Sequence, residues 1–563
     1  MKNAQNYIQL AILLGILIVV NIIAQRVYTY IDLTEDKRYT LTEPTEDLLD
    51  NLDDNYFVSV YLDGTFPASI KRFRDRVEQV LREFQGESSF ISYEFTDPIG
   101  GTPEENKLME KNLVDRRLFP TTINYFDGEE NITKPIFPYA VFKYYNKEVI
   151  VNLLDIEGVA NYDDQTLHAA EGLLEYKFAN AIQKLQLKER PIIAFTEGNG
   201  EFSTLQIGAL QSELSKYYNP VRINLDSVYS MTNVMELLIV AAPKDAISPR
   251  NQFMLDQYIM NGGKVIWLVE TMDIRLDSIA FGRDYVPPLN QTGLDGLFFK
   301  YGFKVLNNTI LDLESTSIPQ VVGSAGGKPQ MNMFKYYYHP LIQSTSEHPI
   351  VKNIDRVNMF FPSTIDTVIT QTNIQKEFLL SSSPYSRYQL APLDLNFRML
   401  GIKPQVNKFN KGNQPVALLL EGEFESAFKN RLTAEQNAAL QQVGSKFLDV
   451  SPQTKMLVIS DGEFIKNQYD TSNGNISPIG YNKWERKIYR GNKELMLNAI
   501  EYMLDENGIL ASRAKEYKLR LLDKVQTSER KFYWQSLNIV FPLVVLALFG
   551  VVFYFMRRRR YSK

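Results

Sequence analysis

The chain has no cysteine among its 563 residues and only three histidines. Without cysteine there can be no disulfide, thiol nucleophile or cysteine metal site, so any folded region is held together by core burial alone. His168, His339 and His348 share no HxxxH or HExxH spacing, which argues against a zinc site. The formal net charge is −5, with no basic excess and no interleaving of basic and aromatic residues, so nucleic acid is not an expected partner. No GxxxxGK[ST], GxGxxG or GxSxG motif occurs. ATP hydrolysis, dinucleotide binding and α/β-hydrolase chemistry therefore lack their usual residues, and no cofactor is expected.

Long apolar runs are present, one near each end, at residues 8–24 and 537–556. At about 1.5 Å per residue they measure roughly 25 and 30 Å, against a bilayer hydrocarbon core of about 30 Å. The second run stops at Arg557-Arg558-Arg559-Arg560. Cytoplasmic flanks are enriched in Lys and Arg, so this block is expected to hold the C-terminus in the cytoplasm. Two spans return the N-terminus to the same side, and residues 25–535 are then a large periplasmic domain fixed to the inner membrane. A secretory signal peptide is the competing reading of the first run. Its length and the poor cleavage site around Ala24 favour a retained anchor.

Between the runs the pattern is α/β. Thr42 and Pro44 mark a helix start. Strand, helix, strand, helix, strand, strand and helix then follow over residues 50–188, an order that suggests a thioredoxin-like domain. No CxxC is present, which excludes its redox chemistry. Residues 188–191 read as a junction. From 189 to 505, short apolar strands such as 192–195, 237–241 and 264–269 alternate with helices, as in a parallel sheet of Rossmann or flavodoxin type, glutamine-amidotransferase-like in outline. Residues 270–414 interrupt that pattern and read as an insertion with long loops, one of them the glycine-rich stretch 323–330. The parallel pattern resumes at 416–420 and 456–460, and the polar stretch 511–531 is expected to be a connecting helix. The 32 Tyr and 33 Phe are expected mainly in cores, with 335–340 (Lys-Tyr-Tyr-Tyr-His-Pro) open to a second reading as a partner surface.

The strongest chemical candidate is Glu197-Gly198-Asn199-Gly200-Glu201, directly after the first strand of the parallel sheet. Ligands favour the carboxyl ends of such strands, and glycines allow close backbone approach. The same segment also reads as a turn in which Gly198 and Gly200 take positive φ. A second acidic turn, Ser460-Asp461-Gly462-Glu463, follows a later strand. Carboxylates meeting at a sheet edge can hold a cation or form an acid and base pair; as solvated turn residues they do neither.

Arg38-Tyr39-Thr40-Leu41-Thr42 after an N-terminal anchor, the turn Thr196-Glu197-Gly198-Asn199-Gly200-Glu201, and a C-terminal span together resemble the GldG family. The turn differs from the family's frequent GHGE by having Asn199. The resemblance implies an auxiliary subunit of an ABC transporter linked to gliding motility in Bacteroidota, with a membrane permease and a cytoplasmic ATPase as partners and other envelope proteins as further contacts. It carries over no catalytic residue, so a non-catalytic role is expected. Two alternatives stand beside it. One is a membrane-tethered sugar- or peptide-binding protein with an aromatic-lined pocket; the other is an envelope hydrolase using Glu197, Glu201 and Asp461.

Overall fold

The computed structural model describes residues 15, 40–126, 131–154, 159–160, 164–228, 231, 235–280, 285–344, 346–431, 447–470, 472, 474–514 and 530–561. Apart from Gly15, 511–514 and 530–531, the expected first span (8–24) and connecting helix (511–531) lie outside the described residues. Two compact units are present, residues 1–515 and 516–563.

The first unit begins with α1 (Glu43–Asp50), where Thr42 and Pro44 place it. Thr42 does not cap the helix with its side chain. Its hydroxyl and its backbone N–H instead donate to Glu175 Oε1, at 2.8 and 2.6 Å, tying the helix to a distant part of the chain. Strand β1 (Tyr56–Val60), helix α2 (Ala68–Glu87) and strand β2 (Ile91–Phe95) follow, the strands parallel. The apolar stripe Ile70, Phe73, Val77, Val80, Leu81 and Phe84 is buried throughout, as its helical spacing requires. Helix α3 (Pro103–Asp115) starts with a capping box between Thr102 and Glu105.

Strands β3 (Thr121–Phe126) and β4 (Asn131–Ile136) form a hairpin, which also pairs with β7 (Val159–Ala160) in a small separate sheet. The main sheet takes β5 (Tyr139–Tyr144) and β6 (Lys147–Asn152) instead, in the order β2-β1-β5-β6 with β5 antiparallel to both neighbours. The last helix of the 50–188 pattern is two helices, α4 (Asp164–Gly172) and α5 (Leu174–Gln186).

Beyond residue 190 lies a seven-stranded sheet built on β8 (Ile192–Glu197), β9 (Asn219–Asn224), β10 (Leu237–Ala241) and β11 (Lys264–Leu268), with α6 (Gly208–Leu214) and α7 (Pro249–Met260) between them. The insertion is richer in strands than its glycines and turn residues suggest. It contains α8 (Leu276–Ala280), α9 (Asp295–Tyr301), β12 (Phe303–Val305), β13 (Asn308–Asp312), β14 (Ser315–Ala325), β15 (Lys328–Ile342), β16 (Val357–Asn358), β17 (Ile365–Thr367), β18 (Ile374–Ser381) and β19 (Ser386–Leu390). The glycine-rich stretch is the tip of the long β14–β15 hairpin, where Gly326 and Gly327 have positive φ. Tyr336, Tyr338 and His339 are core residues of β15, which settles the 335–340 cluster toward burial.

The chain then returns to the large sheet through β20 (Pro415–Gly422) and β21 (Thr454–Ile459). The order is β18-β20-β21-β11-β10-β8-β9. Five strands, β9, β8, β10, β11 and β21, are parallel, and β20 joins them antiparallel, not parallel as its apolar run suggests. A short hairpin of β22 (Tyr481–Asn482) and β23 (Lys487–Ile488) precedes α10 (Arg490–Leu504).

The junction at 188–191 separates two sheets but not two cores. Phe142 and Phe178 of the first sheet layer belong to the same buried cluster as Ile193, Leu457 and Ile500 of the second. A polar link runs beside it: Glu501 on α10 accepts from Lys184 Nζ at 2.7 Å and Asn180 Nδ2 at 3.1 Å, and also from the Tyr176 hydroxyl, all on α5. Burial pushes the Glu501 carboxyl up to about 8, with Arg513 pulling it back, and the Lys184 amine down to about 7, because leaving water disfavours both charges.

The second unit holds α11 (Lys531–Gln535), a π-helical turn at Ser536–Val540 and α12 (Phe541–Tyr561), one continuous apolar helix of 29 residues over Lys531–Arg559. At about 1.5 Å per residue it extends roughly 43 Å, enough to cross a bilayer core. The π turn lies directly before Pro542, whose missing N–H and ring break the regular ladder.

Removing one partner of a buried pair leaves the other unpaired, which costs about 3–5 kcal/mol. Glu501→Ala is therefore expected to lower the melting temperature of the detergent-solubilised chain sharply. Glu501→Leu combined with Lys184→Met should recover most of the loss. A double variant no more stable than Glu501→Ala would show that the pair does not join the two sheets.

Candidate functional site

The order β9-β8-β10-β11-β21 is 2-1-3-4-5 in chain sequence, and ligands of such sheets sit beyond the carboxyl ends of the strands, where the winding reverses. Here the reversal lies between β8 and β10, and the Glu197–Glu201 turn stands on it. That turn is closed by its own contacts. Glu197 Oε2 accepts from Arg222 Nε of β9 at 2.6 Å, and Glu201 Oε2 from the Asn199 N–H at 2.6 Å. The Asn199 carbonyl accepts from the N–H groups of Lys244 and Asp245 at 2.8 and 3.0 Å, and its side chain donates to the Ala246 carbonyl at 3.0 Å. Gly198 and Gly200 have φ of 111° and 79°, the region that glycine enters at no steric cost. The five residues are a brace between neighbouring strands, and Asn199 is its central bolt.

Asp461 is fully buried after β21. Its Oδ2 accepts from the Phe360 N–H at 2.7 Å and its Oδ1 from the Glu463 N–H at 2.7 Å. Burial raises its carboxyl well above the usual range, and the neighbouring Glu270 adds to the rise. The charges that act on Asp461 are those of Glu270 and Glu463, so the structure groups it with them and not with Glu197 and Glu201.

Glu270, two residues past β11, was not singled out by the sequence. Its Oε1 is buried without a hydrogen-bond partner, although the Gly462 N–H reaches the carboxyl. Burial first and then the Glu463 charge push it up to about 8; Lys244 and Lys466 pull it back. The available signal was positional: Lys244, Glu270 and Asp461 each follow the end of a parallel strand. Gly462 closes this group, since a Cβ there would stand 2.6 Å from Ala242 Cβ and 3.2 Å from Phe202 Cε2. The turns after β8, β10 and β21 thus meet at one point that admits no side chain.

Beside the group opens a cleft of about 920 Å³, lined among others by Lys244, Arg275, Glu463, Lys466, Tyr481 and Trp484. Asp273 pairs with Lys244 and, at 2.8 Å, with Arg275; Glu463 pairs with Lys466 at 2.8 Å. His339 lies apart from any acidic cluster. Its ring is enclosed by Tyr336, Phe360, Phe361 and Trp484, and burial lowers it to about 3. Among the described residues no group of three His, Asp or Glu side chains is placed to hold a metal ion.

Residues 190–499, the large sheet with its insertion, match a family model described as "ABC-type uncharacterized transport system". The chain belongs to this family. It is an auxiliary component of an ABC-type transport system, and the family implies association with the components of such a system. Residues 35–143 match a domain of unknown function, DUF7088. An uncharacterized protein of Borreliella burgdorferi is 20% identical over 549 residues, covering 94% of this chain and 93% of its own length. Among solved structures, the mmIFT52 N-terminal domain is similar at 14% identity and a TM-score of 0.31, covering 56% of this chain and 97% of that domain. An exo-β-1,4-mannosidase from an Opitutaceae bacterium is similar at 10% identity and a TM-score of 0.23, covering 78% of this chain and 51% of its own.

A carboxyl that holds its proton in the folded chain and loses it near the ordinary 4.5 when unfolded stabilises most at low pH. That contribution disappears as pH rises from 4.5 through about 8 for Glu270. Glu270→Gln in the full-length protein should lose less melting temperature than the parent between pH 5 and pH 8.5. Parallel curves for the two proteins would show that Glu270 is not held protonated.

Proposed function

We propose that the chain is a non-catalytic, membrane-anchored auxiliary subunit of an ABC transporter, of the GldG type and linked to gliding motility. The family match across the large sheet, in a chain that also carries an apolar helix of spanning length, is the observation that carries this reading. In it the C-terminal helix crosses the inner membrane with Arg557–Arg560 on the cytoplasmic side, and the sheets work in the periplasm against a permease driven by a separate ATPase. The chain's lack of a phosphate-binding lysine motif accords with that division of labour.

Non-catalysis is supported by what the candidate carboxylates do. Glu197 is engaged by Arg222, Glu201 by Asn199, and Asp461 by two backbone N–H groups. A general acid or base needs its atom within reach of a substrate proton; Asp461 is fully buried, and Glu197, though 41% exposed at its side chain, is held in an ion pair. The fold names follow the same reading. The parallel pair β1 and β2 joined to the antiparallel pair β5 and β6 supports a thioredoxin-like first sheet, and the 2-1-3-4-5 order supports a flavodoxin-like, glutamine-amidotransferase-like second.

The test is affinity purification of the full-length chain from its native membrane in mild detergent, with mass spectrometry of what remains bound. A polytopic permease and an ATPase are expected, and both should be lost when residues 537–556 are removed and the chain is secreted. Recovery of the chain alone, before and after crosslinking, would overturn the proposal.

A further inference from the structure

The cleft beside Gly462 has an unbalanced wall. Lys244, Arg275, Lys466 and Lys483 line it, against the single carboxylate of Glu463. Asp273 answers Lys244 and Arg275 with one charge between them, so among the described residues at the cleft the cations outnumber their carboxylate partners by two. Arg275 is 70% exposed at its side chain, and Nε and Nη2 both donate to Asp273 Oδ2, at 2.9 and 2.8 Å, which leaves its remaining N–H groups toward solvent. Glu270 and Asp461 are not part of the cleft lining, and burial pushes both carboxyls up.

The remaining lining is polar and aromatic. The asparagines on it, such as Asn358, Asn482 and Asn492, are bonded to one another and to backbone groups, and hold the wall in shape. Gln206, Ser278 and Tyr481 offer donors and acceptors, and Tyr469 and Trp484 offer ring surface, the latter with Lys483 Nζ 5.0 Å from its centroid. Trp484 is fixed by stacking on the buried His339 ring, with centroids 5.6 Å apart. A volume of about 920 Å³ is within the usual range of about 300–1,000 Å³ for organic ligands and far larger than a single inorganic anion requires. Neither a fatty chain nor an apolar peptide side chain finds a deep apolar slot here.

We infer that this cleft binds an acidic saccharide of roughly two or three rings, its carboxylate or phosphate held by Arg275, Lys466 and Lys483 and a ring laid against the Tyr481–Trp484 wall. The assignment deepens the auxiliary-subunit reading and rests on it for the place where the ligand is met.

The experiment is titration calorimetry on the full-length chain in detergent. The panel contains uronic-acid di- and trisaccharides, hexose phosphates, the neutral saccharides of the same linkage, and acidic tripeptides. Acidic saccharides should bind and their neutral counterparts should not, and the affinity should fall as salt is raised from 0.05 to 0.5 M, because contacts to exposed cations are screened. Arg275→Gln and Lys483→Gln should each weaken binding by about tenfold, with the melting temperature of Lys483→Gln unchanged because that side chain is exposed. Equal binding of neutral sugars, equal binding of acidic tripeptides, or no acidic saccharide bound would overturn the assignment. Loss of this binding in a chain that still purifies with permease and ATPase removes the assignment alone.

Discussion

The pairing of β21 with β11 brings the carboxyl edge of the large sheet together. Between Leu268 and Thr454 the chain makes a long excursion through the insertion, and it returns to lay Met456, Leu457, Val458 and Ile459 beside Val265, Ile266, Trp267 and Leu268 in parallel register. All eight side chains are buried. Closing so long a loop costs conformational entropy once, but each added residue costs little, and a strand buried on both faces compensates through apolar area. Without that return Asp461, Gly462 and Lys466 have no place near Lys244 and Glu270. The cleft would lose a wall.

From that closure follows the treatment of charge. Near Gly462 the chain gathers Glu270, Asp461 and Glu463 with Lys244 and Lys466, a set that could repel itself apart if all the acids were ionised. Burial eases the conflict by pushing the two inner carboxyls up, toward their neutral forms, while Glu463 at the cleft wall takes Lys466 as its counter-ion. Glu501 and Lys184 show the same effect between the two sheets, where burial pushes the carboxyl up and the amine down across a 2.7 Å hydrogen bond. These are interior solutions. They leave Lys244, Lys466 and Glu463 at the cleft, with Glu270 and Asp461 behind them.

Much of the scaffold was legible because its signals are local. The stripe from Ile70 to Phe84, the run Leu237–Ala241 and the Ser248-capped, Asn261-terminated helix Pro249–Met260 each follow from spacing and end chemistry within one element. The insertion was not legible in the same way. Gly326 and Gly327 mark a turn, yet whether the flanks are loops or an 11- and a 15-residue strand depends on their pairing with each other. The orientation of β20 was hidden for a related reason. An apolar run such as Val416–Leu420 suits a buried strand of either direction, and the connections decide between them.

The sequence by itself determined that the chain is α/β, that it has no cysteine chemistry, that Gly198 and Gly200 serve a turn, and that a membrane-length apolar helix lies before Arg557–Arg560. Those properties depend on composition or on neighbours a few residues away. Only the tertiary structure decided what the acidic residues do. Glu197 is satisfied by Arg222 from the adjacent strand, Asp461 by Phe360 from the insertion, and Glu270 is isolated by turns that arrive from β10 and β21. A carboxylate's fate is set by the groups that surround it in space, and for these three they come from other segments of the chain.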